Sequence, residues 1–378
     1  MRIGIEAQRL FRLKKHGMEV VALELIRQIQ RLDTHNEYIL FAKDDADRQC
    51  IKETSNFKTQ TISSFTYADW EQIRLPQTVS RAGIDFLHCT CNTGPVKCPV
   101  PLLLTLHDII YLEKVDFKGT PYQNFGNLYR RFVVPRVVGE SQMVITVSHF
   151  EKQKIVEKLR LPEEKVKVVY NAVNERFNDH FSEEEKNVFK KKYNLPENFL
   201  LFLGNTAPKK NTPNVVLAFV NYCRQTKDII PLVIVDYDKT LVEEMLAKRN
   251  VSHFFKWFIF PGYVSAEEMP LMYSAATLFL YPSLRESFGL PILEAMGCGT
   301  PVITSNTSSM PEVSAGAALL VDPLQADEIT EGIIRILSSD ALQASYSQKG
   351  KTRASQFTWE ASAKDLLSIY EQMKRPRY

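Results

Sequence analysis

Short apolar runs alternate with amphipathic stretches along the whole chain. Runs at 2–6, 38–42, 86–89, 102–107, 143–147 and 166–169 read as strands, and helical patterns such as 19–32 and 150–159 separate them. A second series starts at 199–204 and continues at 232–236, 258–261, 278–281, 301–304 and 318–321. Strands that alternate with helices in this way build parallel sheets, so the fold class is α/β with two doubly wound, Rossmann-like domains. Between the series lie Asn171-Ala172-Val173-Asn174 and a charged stretch at 178–192, polar and rich in turn formers as a linker and first helix should be. The boundary is therefore expected near Asn174, with domains at 1–174 and 175–355. After Asp322-Pro323 the pattern turns helical, with apolar positions at Ile329, Ile333, Ile336 and Leu337, then Leu366, Leu367 and Tyr370. Two such sheets facing each other would direct their strand C-terminal ends into one cleft, where sheets of this kind bind ligands.

At 378 residues the chain exceeds the usual size of one hydrophobic core, which agrees with two domains. Its 44% hydrophobic and 24% charged residues are those of an ordinary globular protein. A formal charge of +3 is too small to argue for nucleic acid. No apolar run approaches the roughly 20 residues of a spanning helix, because the run at 101–110 is broken by His107 and Asp108. Glu6 stands where a signal peptide would need its apolar stretch, so a cytoplasmic location is expected. Cysteines at 50, 89, 91, 98, 223 and 298 are too sparse for a disulfide framework and read as reduced thiols. His88, Cys89, Cys91 and Cys98 could be taken for a zinc cluster. The segment reads better as a buried strand end running into the Gly94-Pro95 loop, and no metal site is expected.

Segment 282–301 carries the most chemistry. It follows a strand, and Pro291 suits the first turn of a helix, where a missing N–H costs nothing. Gly289, just before it, allows close backbone approach. Free N–H groups and the positive end of a helix dipole would then meet a diphosphate. Glu286 precedes this helix and Glu294 lies about a turn inside it, so two carboxylates could accept hydrogen bonds from the hydroxyls of one ligand. A nucleotide sugar has such hydroxyls on both sides of its diphosphate.

These residues resemble the signature of glycosyltransferase family 4, whose members share two glutamates with seven residues between them. Other segments also look like that family, in the same order: Thr105-Leu106-His107-Asp108, Val144-Ile145-Thr146-Val147-Ser148, Pro208-Lys209-Lys210-Asn211, Pro261-Gly262-Tyr263-Val264-Ser265 and Met310-Pro311-Glu312-Val313. The resemblance implies a GT-B fold, retention of anomeric configuration, no metal or cofactor, and a last helix, 356–378, that crosses back onto the N-terminal domain. It implies that Glu294 binds ribose hydroxyls and Glu286 the donor sugar. Ser287, Phe288, Gly289 and Leu290 would cradle phosphate or sugar, and Lys210 would neutralise the diphosphate. His107 would contact the donor sugar and reacting centre from its strand end, and Val264 would join the donor contacts.

The chain departs from the family in three places. Relatives commonly carry a basic residue soon after the glycine of the 199–204 strand, where this chain has Asn205. The glycine-rich turn near the N-terminus is reduced to Lys15-His16-Gly17, which leaves Gly17 as a weaker phosphate or acceptor position. Asp236 replaces a glycine after the 232–236 strand, and a carboxylate there could accept from guanine N–H groups, which points to GDP-mannose. The expected partners are a nucleotide-sugar donor and a saccharide or lipid-linked saccharide acceptor. Aromatic and basic residues at 122–136 suit either peripheral membrane contact or a core helix with snorkelling arginines. The rival readings are an epimerase or phosphorylase on the same fold, or a non-catalytic sugar-nucleotide-binding partner. A dehydrogenase is disfavoured, because Ala7-Gln8-Arg9-Leu10 lacks the glycine fingerprint after the first strand.

Overall fold

The computed structural model describes residues 1–15, 17–113 and 121–373, with the backbone alone for 121–125. It divides into two compact units, Met1–Asn171 with Trp359–Tyr378, and Ala172–Thr358. The first unit holds strands β1 (Arg2–Glu6), β2 (Glu37–Ala42), β3 (Phe57–Thr61), β4 (Phe86–Cys89), β5 (Leu102–Thr105), β6 (Met143–Thr146) and β7 (Val166–Val168). They form one sheet in the order β3-β2-β1-β4-β5-β6-β7, and every pairing is parallel. The second unit holds β8 (Leu200–Leu203), β9 (Leu232–Val235), β10 (Phe258–Ile259), β11 (Leu278–Tyr281), β12 (Val302–Ser305) and β13 (Leu319–Val321). Their order is β10-β9-β8-β11-β12-β13, again all parallel. Each sheet is doubly wound, as the alternation of elements predicts.

The central strands are apolar on both faces because helices cover both. Leu200–Leu203, Leu232–Val235 and Leu278–Tyr281 are almost wholly buried, as parallel strands must be. β3 escapes the sequence pattern for the opposite reason. Its residues Phe-Lys-Thr-Gln-Thr bury only Phe57, since an edge strand needs little apolar surface. Strand ends also move, most where the 102–107 run stops at Thr105, so that His107 stands two residues beyond it, and where the 258–261 run pairs only at Phe258 and Ile259.

Helix α1 (Gly17–Leu32) buries Val21, Ala22, Leu23, Ile26 and Ile29, and Leu23, Ile26 and Ile29 join the apolar core that holds Ile3 and Ile5 of β1. In the second unit α2 (Thr212–Gln225) follows β8, and α3 (Leu290–Gly297) follows β11. The last helix, α4 (Trp359–Met373), belongs to the first unit and lies on α1. Its Tyr370 is fully buried edge-on to Phe86 and meets His88 Nδ1 at 2.8 Å. Burial drives the His88 pKa down to about 3, so the ring is neutral, and its Nε2 lies 2.7 Å from Thr105 Oγ1. Both ring nitrogens of the first residue in the possible zinc cluster are thus engaged within the core.

Candidate functional site

In each sheet the winding reverses beside one strand. The loops at the C-terminal ends of the two strands flanking that reversal diverge to opposite faces and leave a crevice. In the second unit those strands are β8 and β11. The loop after β8 carries Asn205 to Asn211, and the loop after β11 carries Pro282 to Gly289.

Lys210 and Glu286 meet across this point. Lys210 Nζ lies 2.7 Å from Glu286 Oε1 and 2.8 Å from the Tyr281 hydroxyl, and sits 4.8 Å from the centre of the Tyr281 ring. Tyr281 is the last residue of β11, so a rigid strand end holds the ammonium. The Lys210 side chain is 21% exposed and that of Glu286 is 10% exposed. Two of the three ammonium protons are accounted for by these bonds, and a third donor remains available to a ligand oxygen.

The backbone of Glu286 is clasped from the loop after β12. Ser308 Oγ accepts from the Glu286 N–H at 3.0 Å and donates to its carbonyl at 2.6 Å. The one proton of Ser309 Oγ is shared between the carbonyls of Glu286, at 2.9 Å, and Phe288, at 3.0 Å. Gly289 then turns left-handed at φ +95 and caps α3, with Pro291 in the first turn and no side chain occupying the cap. A side chain at Gly289 would be strained by that φ and would press on Ile292, 3.2 Å away. No side chain caps this helix start, where the sequence reading expects an anion.

Glu294 lies one turn into α3, partly buried, with Oε2 accepting from the Tyr273 hydroxyl at 3.0 Å. Burial raises its pKa to about 7, against the lowering effects of the Tyr273 bond and the Arg176 charge. Leu290 opens α3, Phe288 is buried edge-on to Phe357, and Ser287 is half-buried between them and Glu286 in the chain. Asn205 is exposed, and its side chain turns inward on its own loop to accept from the Ala207 N–H. Val264 is buried in the loop after β10. Asp236 follows β9, left-handed at φ +53 with its side chain exposed, while its N–H donates to the Gly262 carbonyl.

The remaining candidates lie in the first unit. Gly17 opens α1 in free space, and its neighbour His16 falls outside the described residues. His107 is buried, and its Nε2 faces the Thr90 carbonyl at 2.9 Å. A carbonyl only accepts, so Nε2 carries the proton and Nδ1 is left as the acceptor nitrogen. Burial lowers the His107 pKa. The His107 backbone N–H donates to Asn92 Oδ1 at 2.6 Å.

Sequence reasoning missed a second polar centre, where β1 and β4 flank the reversal of the first sheet. Glu6 ends β1, and burial raises its pKa to about 7. Arg9 stacks 4.9 Å from the Tyr67 ring centre and reaches Glu19 at 3.5 Å, with its buried Nε lacking a hydrogen-bond partner. These side chains line a recess of about 10 Å³, the size of one water. Behind it Glu71, in a π-helical turn over Trp70–Arg74, accepts from Tyr67, Tyr129, Gln72 and Thr93. The only sequence signal for this centre is a run of polar residues among apolar ones at 67–74. Tyr281, Tyr273, Ser308, Ser309 and Asn211 were missed as well, because their contacts depend on segments distant in sequence.

Among the described residues, no group of three or more His, Cys, Asp or Glu is arranged to hold a metal ion, and no helix is long and apolar enough to cross a membrane. The helix at Pro121–Glu140 buries Val133, Val134, Val137 and Val138 and exposes Leu128 and Phe132. Arg136 stacks 3.7 Å over Phe132. The side chains of 121–125, part of the possible membrane face, lie outside the described residues.

Two family profiles cover most of the chain: "Glycosyl transferases group 1" matches residues 183–353 and "Glycosyltransferase Family 4" matches 16–177. O-antigen chain mannosyltransferase B of Escherichia coli is 31% identical over 235 residues, 61% of either chain. O-antigen chain mannosyltransferase RfbU of Salmonella typhimurium is 30% identical over 270 residues, 68% of this chain and 66% of that one. The match to the serotype-specific mannosyltransferase WbdA of Escherichia coli, 26% identical, takes in 70% of this chain and 32% of that longer protein. The chain thus spans less than two thirds of these relatives' length. Among solved structures, Anabaena HepE in complex with UDP superposes with a TM-score of 0.74 at 18% identity, over 98% of this chain and 100% of that one. A glycosyltransferase from Rickettsia africae gives 0.72 at 16% identity, over 100% and 99%. At such identities the likeness speaks for the fold alone.

Proposed function

The chain belongs to the group 1, family 4 glycosyltransferases of GT-B fold, and from that premise we propose that it transfers a hexosyl group from a nucleoside diphosphate sugar to a saccharide or lipid-linked saccharide acceptor. The observation that carries the reading is the Lys210–Glu286 pair, at the switch point of the second sheet and just before the start of α3, which no side chain caps. Lys210 meets the diphosphate with its third proton while keeping Tyr281 and Glu286. The backbone at Ser287 to Leu290 supplies N–H groups and the positive helix end to the same phosphates. Glu286 accepts from hydroxyls of the donor sugar, and Glu294 from those of the ribose.

Transfer then runs with retention and without a metal ion. The bond from C1 of the sugar to the diphosphate oxygen breaks, and the acceptor oxygen bonds to C1 on the same face. The acceptor's proton passes to the departing phosphate oxygen. Charge that builds on the leaving group is met by Lys210 and the fixed amides, which need no reorganisation at that moment. Asn205, Val264, Gly17 and His107 are further donor-side candidates. His107 would act through Nδ1, because Nε2 is committed to Thr90.

Mannose as the sugar and GDP as the carrier form the finer part of the proposal. The names of two relatives at about 30% identity favour mannose, and the exposed Asp236 carboxylate at the end of β9 suits guanine. Exposed Leu128 and Phe132, with the arginines around them, suit light contact with a membrane that presents a lipid-linked acceptor. Flotation with anionic vesicles checks that part, and protein left at the bottom of the gradient removes it.

The central test is calorimetry with GDP, UDP and their sugar conjugates, followed by transfer assays with the donor that binds. Tight binding with product formed only in the presence of an acceptor supports the transferase. Binding with no product under any acceptor points to the non-catalytic partner, and interconversion of the donor alone points to an epimerase.

A further inference from the structure

We propose that Asn211 is a positioning residue that sets Lys210 against the donor diphosphate, an inference that rests on the donor reading above. Lys210 ends a single 3-10 turn, Pro208–Lys210, where no sheet or long helix fixes its place. What holds the loop is the residue after it. The Asn211 side chain is buried, and its amide nitrogen donates both protons, to the Pro282 carbonyl at 3.0 Å and the Pro323 carbonyl at 2.6 Å. Those carbonyls belong to the loops after β11 and β13. One amide thereby joins the three loops that follow β8, β11 and β13.

On the other side of Lys210, the Lys209 carbonyl accepts from the Leu284 N–H at 2.7 Å. Lys210 is therefore gripped through both neighbours onto the same 282–286 segment that bears Glu286. The Asn211 backbone is left-handed, φ +63 and ψ 25, and its carbonyl accepts from the N–H groups of Asn214 and Val215 in the first turn of α2. Among side chains that tolerate this conformation, asparagine alone brings two N–H donors. Glycine and aspartate tolerate it and bring none.

This combination makes the role separable from simple stability. Asn211→Gly keeps the backbone free to turn and removes the clamp, and Asn214 Nδ2 still donates to Pro323 O at 3.0 Å to hold that loop. The test is isothermal calorimetry with GDP and with UDP, well below the melting temperature, on wild type, Asn211→Gly, Lys210→Ala and the double variant. With whichever nucleotide wild type binds more tightly, Asn211→Gly should weaken binding about tenfold, in keeping with the loss of charge-assisted contact. The double variant should bind no worse than Lys210→Ala alone, because Asn211 acts through Lys210. Asn211→Asp, which tolerates the turn but has no N–H to give, should repeat the tenfold loss.

Additive effects in the double variant, or unchanged binding in Asn211→Gly, would overturn the proposal while leaving the donor reading in place. Loss of the folded state in both single Asn211 variants would make the residue one for folding and overturn it too. Wild type that binds neither nucleotide would remove the donor reading, and this inference with it.

Discussion

The two units wind their sheets in the same sense, and each brings two loops together at the reversal, yet what stands there differs. Between β8 and β11 the second unit has a lysine and a glutamate in contact, partly exposed, with one ammonium proton unassigned and an open helix start beside them. Between β1 and β4 the first unit has Glu6, Arg9, Glu19 and Tyr67 around a recess that takes one water, backed by Glu71 and its four donors. Topology selects the place, and side chains decide whether a partly exposed ion pair or a buried polar scaffold stands there. Polar residues at the second unit's crossing should therefore matter to activity before stability, and those behind the first unit's crossing to stability before activity.

The sharpest break between the two comes from single substitutions. Glu286→Ala, and separately Lys210→Ala, should lower sugar transfer about 100-fold or more, the scale of removing one fixed contact to a developing charge. In Glu286→Ala the melting temperature should barely move, because Lys210 keeps Tyr281 and the backbone at 286 keeps Ser308 and Ser309. Transfer rates and scanning calorimetry on the same samples check this. A large drop in melting temperature with transfer intact would reverse the assignment.

Glu71→Ala should behave the other way. It leaves Tyr67, Tyr129, Gln72 and Thr93 without their shared acceptor in a buried place, at a cost of about 3 kcal/mol to the first unit. Denaturant unfolding should reveal the loss, with GDP or UDP affinity at the second unit unchanged below the transition. An equal effect on both would mean that the two crossings are not independent.

How far this contrast could be read from the chain depends on distance in sequence. The twelve strands inferred from apolar runs lie in the two sheets, since parallel strands buried on both faces leave a continuous apolar signature. β3 left none, because its edge position asks only for Phe57. Gly289 and Pro291 were legible as a helix start, since that logic is local, and so was the spacing of Glu286 and Glu294 on one short segment. Tyr281, Asn211 and the Ser308-Ser309 clasp were not, because each acts on a carbonyl, ammonium or N–H from another strand's loop. The sequence set His107 at a strand end, whereas the strand stops at Thr105, two residues before it, and the commitment of His107 to Thr90 required the fold.

A smaller effect separates Glu294 from its neighbours by pH. Its carboxyl titrates near 7 in the folded chain against an ordinary 4.5. The folded state therefore holds this proton more tightly than the unfolded one. Its contribution to stability is full below about 4.5 and is lost as pH rises through about 7. Donor binding should run the opposite way, because the carboxylate accepts from two ribose hydroxyls and the acid accepts less well. A nucleotide sugar such as GDP-mannose is the right probe, since its diphosphate is a diester with no proton to lose near neutrality. Affinity should rise about fivefold from pH 6 to pH 8, and Glu294→Gln should flatten the rise. A profile that stays flat in wild type would remove Glu294 from the ribose.

The smallest effect concerns the nucleobase and is the most exposed to failure. Asp236 follows β9 in a left-handed turn held by its own N–H to Gly262, so an asparagine there should keep the backbone while losing the charge. Guanine offers two N–H groups on one edge, and a carboxylate accepts both, whereas the uracil edge pairs a single N–H with carbonyls that a carboxylate repels. Asp236→Asn should thus weaken GDP about fivefold, leave UDP unchanged or slightly better, and do nothing to the melting temperature, given that the side chain is exposed. Competition calorimetry with the two nucleotides on wild type and variant reads the ratio directly. If wild type already prefers UDP, or if the variant weakens both equally, Asp236 has no part in choosing the base, and selection of the base would then lie with residues other than Asp236.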